Sequence, residues 1–224
     1  WCMQTFIKQI SAHVGQEVEL KGWLNNKRSS GSIAFLEIRD GSGFMQVIVN
    51  KQAVAADVWE AVEKLTQESS VAVKGTVSKH PKHDDVFELQ VTHVHVFQIA
   101  EEYPIAKKEH GPDFLMDNRH LWLRSKKQWA VLRVRDVVTS AIQEYLHQEY
   151  FIRVDSPIFT PNACEGTTTL FPVPYFDEGT AYLSQSGQLY IEAAIASVGR
   201  CYDFGPVFRA EKSKTKRHLA EFWM

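Results

Sequence analysis

Period-two patterns in the first hundred residues, interrupted once by a helical pattern, constrain the fold of this chain more than any other feature. Apolar spacings of three and four predict one helix over residues 53–67. Alternation of apolar and polar residues predicts five strands, at residues 17–25, 33–40, 44–50, 71–77 and 86–97. A glycine-bearing turn at 41–43 joins the second and third strands as a hairpin. The first domain is therefore predicted to be a five-stranded sheet with one inserted helix.

Three strands, one helix and two strands is the order of the OB-fold, a small barrel that binds oligonucleotides. On the second predicted strand, the side chain of Phe35 falls on the polar face with Glu37 and Arg39. An aromatic ring among polar groups on such a barrel is typical of a stacking platform for a base. Packing of Phe35 under a neighbouring loop is the alternative, and we favour the nucleic-acid role.

Polar side chains next to Phe35 extend this interpretation. Gln46 is predicted on the polar face of the third strand, where its amide can read a base edge. Lys27 and Arg28 are placed in the loop between the first and second strands, where they can hold phosphate. The sequence thus predicts an RNA-binding surface on the barrel.

Composition limits the remaining function classes. The chain has 224 residues and a formal net charge of −2, which argues against a generic basic nucleic-acid binder. Its three cysteines are widely spaced and form no metal or disulfide pattern, which is typical of a reducing cytoplasm. No apolar run reaches membrane-spanning length, so we expect no membrane partner. Because the first residue is Trp1, we interpret the chain as a fragment of a longer protein.

A change of pattern after residue 100 predicts a second domain. Residues 101–113 carry Pro104, Gly111 and Pro112 without periodicity, so we predict domains at 1–100 and 119–224 with a hinge over 101–118. Residues 126–150 form a long amphipathic helical pattern, followed by a short strand and Ser156-Pro157.

The densest cluster of charged residues near the end of the chain is the segment 205–222. It predicts a strand, a short basic loop and a returning strand, with Arg209 and Glu211 on the same face. A guanidinium held on a rigid strand beside a cationic loop is suited to bind a polyphosphate. A solvated basic hairpin is the alternative interpretation of the same residues.

The wording of this segment resembles the second signature motif of class II aminoacyl-tRNA synthetases. The motif is Phe-Arg-Ala-Glu at 208–211, a polar loop, and Arg-His-Leu-Ala-Glu-Phe at 217–222. The long helix, strand and Pro157 resemble the first motif of that class. From Phe6 to Met224 the chain is similar to class IIb enzymes. The resemblance implies an OB-fold barrel followed by the first part of an antiparallel catalytic sheet, a homodimer, ATP as substrate and Mg²⁺.

The resemblance also implies roles for individual residues. Arg209 would be catalytic, bridging the amino-acid carboxylate and the α-phosphate of ATP, and Glu211 would face adenine or the amino group. Arg217 and His218 would reach the outer phosphates, and Phe222 would stack on adenine. Glu221 is the weaker expectation, as a ligand of Mg²⁺.

A further string is similar to the asparagine-specific members of the family. It is Cys-Glu-Gly at 164–166 with Ser-Gly-Gln-Leu-Tyr-Ile-Glu at 186–192. Glu165 and Gln188 would bind the α-ammonium group of the substrate. Aspartate enzymes carry a lysine where this chain has Ile191, and Glu192 can accept a hydrogen bond from a carboxamide while repelling a carboxylate.

The implied reaction is activation of L-asparagine by ATP and its transfer to tRNA(Asn). Arg28, Phe35 and Gln46 would then contact the anticodon. The third class II motif is absent from the 224 residues, so we expect this segment alone not to aminoacylate. An aspartate-type enzyme, an amidating paralogue and a non-catalytic OB-type RNA binder with a dimerising second half are the alternatives.

Overall fold

The computed structural model describes residues 3–105, 108–163, 170–215 and 217–224. The chain divides into two compact units, Trp1–Trp122 and Leu123–Met224. Two short helices, α2 (Pro112–Asp117) and α3 (Arg119–Trp122), close the first unit, and α2 lies inside the range expected to be a hinge. In the part of the chain that the structure describes, no helix combines the length and apolar character needed to cross a membrane.

Unit 1 is a β-barrel with one helix, α1 (Ala56–Lys64), and a 3-10 helix at Ile7–His13. Its strands are β1 (Met3–Gln4), β2 (Glu17–Ser30), β3 (Ile33–Arg39), β4 (Phe44–Asn50), β5 (Ser70–His80) and β6 (His83–Gln98). Pairings run from β2 through β3, β4, β6 and β5 back to β2, which closes a ring of five strands, and β1 adds parallel to β2. All ring pairings are antiparallel except that between β4 and β6. The predicted OB-fold is confirmed.

Alternating apolar residues build the barrel core. Leu36 and Ile38 on β3 and Val47 and Val49 on β4 are fully buried, as their alternation predicts. Between them, Phe35 and Gln46 remain partly exposed on the outer face. The core therefore fixes which side chains the outer surface presents.

The predicted loop containing Lys27 and Arg28 is wrong, because β2 continues through Ser30. A β-bulge between Leu24 and Asn26 interrupts the alternation, and this irregularity hides the end of the strand. Lys27 does not face phosphate either. Its Nζ donates to the carbonyl oxygens of Val62, Glu63 and Leu65 at 3.2, 2.9 and 2.6 Å.

Lys27 thus satisfies carbonyl groups at the C-terminal end of α1, where a cation is also favoured by the helix dipole. Burial lowers the pKa of the Lys27 ammonium from its usual value, and the nearby carboxylate of Glu63 opposes that shift. Its role is to hold α1 against β2, beside the position of Arg28.

Arg39 also differs from expectation, because it is buried rather than part of the polar face. It forms a bidentate ion pair with Glu68, at 2.9 and 2.8 Å. Its guanidinium lies 5.5 Å from the centre of the Trp23 ring. Charge-assisted pairing satisfies two groups that would otherwise be costly to bury.

Asp40 ties the turn after β3 to the N-terminal 3-10 helix. Its Oδ1 accepts from the backbone N–H groups of Ser42 and Gly43 and from the Ser42 hydroxyl, at 2.8, 3.0 and 2.8 Å. Its Oδ2 accepts from the Ile7 backbone N–H at 2.7 Å. Gly41, with a φ of 85°, supplies the left-handed residue of this turn.

We expect Asp40→Ala to lower the free energy of unfolding of unit 1 by about 2–3 kcal/mol, because it removes charge-assisted hydrogen bonds at two points of the chain. Urea unfolding of the 224-residue chain measures this change. Asp84→Ala, at an exposed position of β6, is the matched control and should change the stability by less than about 0.5 kcal/mol. Equal effects of the two substitutions would contradict this role of Asp40.

Unit 2 combines two helices with short strands. The helices are α4 (Lys126–Gln148) and α5 (Gln188–Val198). The strands are β7 (Ile152–Arg153), β8 (Phe159–Thr160), β9 (Pro172–Pro174), β10 (Thr180–Leu183), β11 (Cys201–Tyr202), β12 (Pro206–Phe208) and β13 (Glu221–Trp223). They pair as β8-β10-β9, as β11-β7 and as β12-β13. The predicted long helix is confirmed, and its N-cap Ser125 accepts a hydrogen bond from the Gln128 N–H.

Candidate functional site

The hairpin of β12 and β13 positions the charged residues near the end of the chain. Val207 pairs with Phe222 in antiparallel register and is buried. The Arg209 N–H donates to the Ala220 carbonyl at 2.9 Å, which extends the pairing one residue beyond β12. Arg209 is therefore held on a hydrogen-bonded backbone.

A cavity of about 380 Å³ opens at this end of the hairpin. Its lining residues are Arg209, Glu211, Ser213, Arg217, His218, Leu219 and Phe222. All five residues assigned to ATP from the sequence lie in this cavity. Two residues in its lining, Ser213 and Leu219, were not foreseen.

The cavity offers the chemistry that a nucleotide needs. Two guanidinium groups, on Arg209 and Arg217, face one carboxylate, on Glu211. The Arg209 guanidinium lies 5.7 Å from the centre of the Phe222 ring, so a cation and an aromatic surface adjoin. Such a site can neutralise phosphate charge and stack a base in one place.

Ser213 is connected to a predicted ligand-binding residue. Its Oγ lies 3.1 Å from Nδ1 of His218. The sequence offers only weak guidance here, since Ser213 falls in a polar loop without periodicity. The adjacent Lys216 lies outside the described residues.

The residues assigned to the amino acid lie on α5. Gln188 Nε2 donates to Glu192 Oε1 at 2.9 Å, as the spacing of four predicts. Gly187 is the N-cap residue, and the Ser186 hydroxyl accepts from the Gln188 N–H at 3.1 Å. Neither Gln188 nor Glu192 lines the cavity around Arg209.

A backbone hydrogen bond connects the two groups of residues. The Phe208 N–H donates to the Ser184 carbonyl at 2.9 Å, which ties the end of β12 to the segment that leads into α5. Ser184 is buried. Glu165, the third residue assigned to the amino acid, lies outside the described residues.

Glu221 is not part of the cavity lining. It pairs with Phe208, and it is the neighbour of Phe222 on β13. Because successive strand residues point to opposite faces, Glu221 projects away from the face of Phe222. Within the described ranges, no three potential ligands among His, Cys, Asp and Glu gather as a metal site. The role of Glu221 toward Mg²⁺ stays a prediction.

The structure brings the three anticodon candidates together on the outer face of the barrel. Arg28 lies opposite Phe35 in the pairing of β2 with β3, and its guanidinium is 4.7 Å from the centre of the Phe35 ring. Its Nη2 donates to Gln46 Oε1 at 3.0 Å. The three side chains therefore form one contiguous surface.

Glu88 on β6 is a member of this surface that the sequence did not reveal. Its Oε1 accepts from Gln46 Nε2 at 2.6 Å, although the side chain is almost fully buried. A carboxylate accepts and a guanidinium donates, so Glu88 and Arg28 together fix the orientation of the Gln46 amide. Each end of that amide keeps one further hydrogen-bonding position for a ligand. The parallel register of Gln46 with Glu88 produces this contact, and a period-two pattern cannot show it.

Family models match both halves of the chain. A model described as tRNA synthetases class II (D, K and N) matches residues 111–224. A model described as OB-fold nucleic acid binding domain matches residues 18–97. These ranges contain the cavity around Arg209 and the surface around Phe35, respectively.

Individual relatives are similar over nearly the whole chain. An asparagine–tRNA ligase of Sorangium cellulosum (strain So ce56) is 57% identical over 216 residues, which are 96% of this chain and 48% of the relative. The asparagine–tRNA ligase of Desulforamulus reducens (strain ATCC BAA-1160 / DSM 100696 / MI-1) is 54% identical over 98% of this chain and 51% of its own length. The crystal structure of asparaginyl-tRNA synthetase from Pyrococcus horikoshii complexed with asparaginyl-adenylate matches with a TM-score of 0.89 at 38% identity, over 98% of this chain and 51% of that chain. The chain spans about half the length of the curated relatives it matches.

Proposed function

We propose that this chain, which belongs to the class II tRNA synthetases of the D, K and N group, takes part in ATP-dependent activation of L-asparagine and its transfer to tRNA(Asn). The observation that carries the proposal is the single cavity lined by Arg209, Glu211, Arg217, His218 and Phe222. Its chemistry suits a nucleotide, and the similar ligases and the adenylate complex support asparagine as the amino acid. The enzyme would be cytoplasmic, as the cysteine content suggests.

In this reaction the asparagine carboxylate attacks the α-phosphorus of ATP in line. The bond from the α-phosphorus to the bridging oxygen breaks, pyrophosphate leaves and asparaginyl-adenylate forms. Arg209 would contact both reacting groups, and Arg217 and His218 would bind the outer phosphates. The protein supplies position and charge rather than a nucleophile.

The remaining roles follow the same assignment. Phe222 would stack on adenine, with Glu211 beside it. Glu165 and Gln188 would bind the α-ammonium group, and Glu192 would accept from the substrate carboxamide. The hydrogen bond from Gln188 to Glu192 supports this, because it holds the two side chains on one surface of α5.

Mg²⁺ would enter with ATP, because this ion is commonly held by substrate phosphates and one or two carboxylates. Glu211 is the carboxylate in the cavity lining, and Glu221 is the one assigned from the sequence. When bound, the ion would offset negative charge on the phosphates.

We also infer that the enzyme acts as a homodimer through α4. Apolar side chains of this helix stay uncovered within the described part of unit 2, including Val131, Val134 and Val137 at 52%, 63% and 64% exposure. A continuous apolar helix face of this kind favours association. Sedimentation of the full-length gene product would measure the oligomeric state.

On the RNA side, we propose that Phe35, Arg28 and Gln46 contact the anticodon. We expect Phe35→Ala to weaken tRNA binding about 10- to 100-fold, since stacking contributes about 1–3 kcal/mol per base. Filter binding at fixed salt, with tRNA(Asn) and an anticodon-substituted tRNA, measures this change. Phe97→Ala is the matched control, because Phe97 is a 55% exposed aromatic elsewhere on the barrel.

The wild-type protein should prefer the native anticodon, and Phe35→Ala should reduce that preference. Equal binding of both tRNAs by the wild type would instead favour a generic RNA-binding module. An unchanged affinity in Phe35→Ala would contradict the assigned surface.

A further inference from the structure

Ser213 is the polar residue of the cavity that the proposed reaction leaves without a role. We propose that Ser213 is a positioning residue that orients the His218 ring, so that Nε2–H of His218 points at the outer phosphates of ATP. The inference rests on the proposed function, because it concerns the same cavity and the same nucleotide.

Three short contacts define the hydrogen-bonding state of Ser213. Its Oγ accepts from the Thr215 backbone N–H at 3.1 Å. The same Oγ lies 3.1 Å from Thr215 Oγ1 and 3.1 Å from His218 Nδ1. The backbone N–H can only donate, so the Ser213 hydroxyl proton points either to Thr215 Oγ1 or to His218 Nδ1.

These two choices have opposite consequences for a bound anion. If Ser213 donates to Nδ1, a neutral imidazole carries its proton on Nε2, where it can donate to a phosphate oxygen. If Nδ1 donates to Ser213, a neutral ring leaves a lone pair on Nε2, which repels that oxygen. A bound polyphosphate therefore selects the arrangement in which Ser213 donates.

The other charged groups of the cavity strengthen this selection. Arg209 and Arg217 are cationic and line the same space, whereas Glu211 is the anionic group there. The site thus attracts phosphate oxygens, and His218 adds a donor only in the orientation that Ser213 supports. Both Ser213 and His218 are exposed, so the hydrogen bond rather than packing limits rotation of the ring.

The test uses asparagine-dependent ATP–pyrophosphate exchange by the full-length gene product, with ATP varied. We expect Ser213→Ala to raise the KM for ATP about fivefold and to leave kcat within about twofold, the size of one net hydrogen bond. Ser213→Thr keeps the hydroxyl and should restore the KM. Thr215→Val is the matched control, because it removes a hydroxyl from the same loop and keeps the backbone N–H.

A double-mutant cycle separates positioning from a structural role in the loop. In a His218→Ala background, Ser213→Ala should change the KM for ATP by less than about twofold, because the residue acts through His218. An unchanged KM in Ser213→Ala would overturn the inference, and so would a fivefold effect that persists without His218. If the unsubstituted enzyme shows no asparagine-dependent exchange, the proposed function itself fails, and this inference fails with it.

Discussion

Arg209→Ala should reduce kcat/KM for asparagine-dependent ATP–pyrophosphate exchange by at least about a thousandfold in the full-length gene product. Removal of a guanidinium that neutralises charge in phosphoryl transfer typically costs three to five orders of magnitude. Arg209 is held for this role by its backbone bond to Ala220, and it faces the cavity beside Phe222. Arg209→Lys keeps the charge but loses the planar fork, so it should recover only a small part of the activity.

The matched control is Lys214→Ala, because Lys214 lies in the same loop but is not among the residues that line the cavity. We expect it to keep the exchange rate within about threefold, since an exposed charge contributes little. Circular dichroism should show unchanged secondary structure in both variants. Near-normal exchange by Arg209→Ala would contradict the assignment of this cavity to ATP.

Glu192→Ala should lower the preference for asparagine over aspartate about a hundredfold. The carboxylate has two expected effects, because it accepts from the substrate carboxamide and repels a substrate carboxylate. Its position is defined by the 2.9 Å hydrogen bond from Gln188. Glu192→Gln retains the shape and removes the charge, so it should raise the exchange rate with aspartate more than it lowers the rate with asparagine.

Glu144→Ala is the control for Glu192→Ala, because Gln148 donates to Glu144 in the same four-residue spacing on the exposed surface of α4. It should leave the ratio of kcat/KM values for asparagine and aspartate unchanged. The measurement is amino-acid-dependent pyrophosphate exchange with each substrate in turn. A Glu192→Ala enzyme with the original ratio would show that another group reads the carboxamide.

Sequence patterns predicted the barrel well, because each strand of a two-faced sheet must alternate. The strand Phe44–Asn50 has the predicted bounds. The end of β2 was missed because the bulge at Leu24 and Asn26 shifts the alternation by one residue. The burial of Arg39 was missed because its partner, Glu68, lies 29 positions away in sequence.

The same distinction applies to the candidate site. The relation of Gln188 to Glu192 follows from helical spacing, and the projection of Arg209 follows from a hairpin. Ser213 and Glu88 were not foreseen for different physical reasons. The contact of Ser213 depends on the conformation of an irregular loop, and that of Glu88 depends on a parallel pairing between distant strands.

The most direct test of the account is the choice of amino acid by the full-length gene product in ATP–pyrophosphate exchange. The cavity around Arg209 and the pair of Gln188 with Glu192 predict rapid exchange with asparagine and at least about a hundredfold lower kcat/KM with aspartate. Exchange that depends on aspartate, or no exchange with either amino acid, would contradict it.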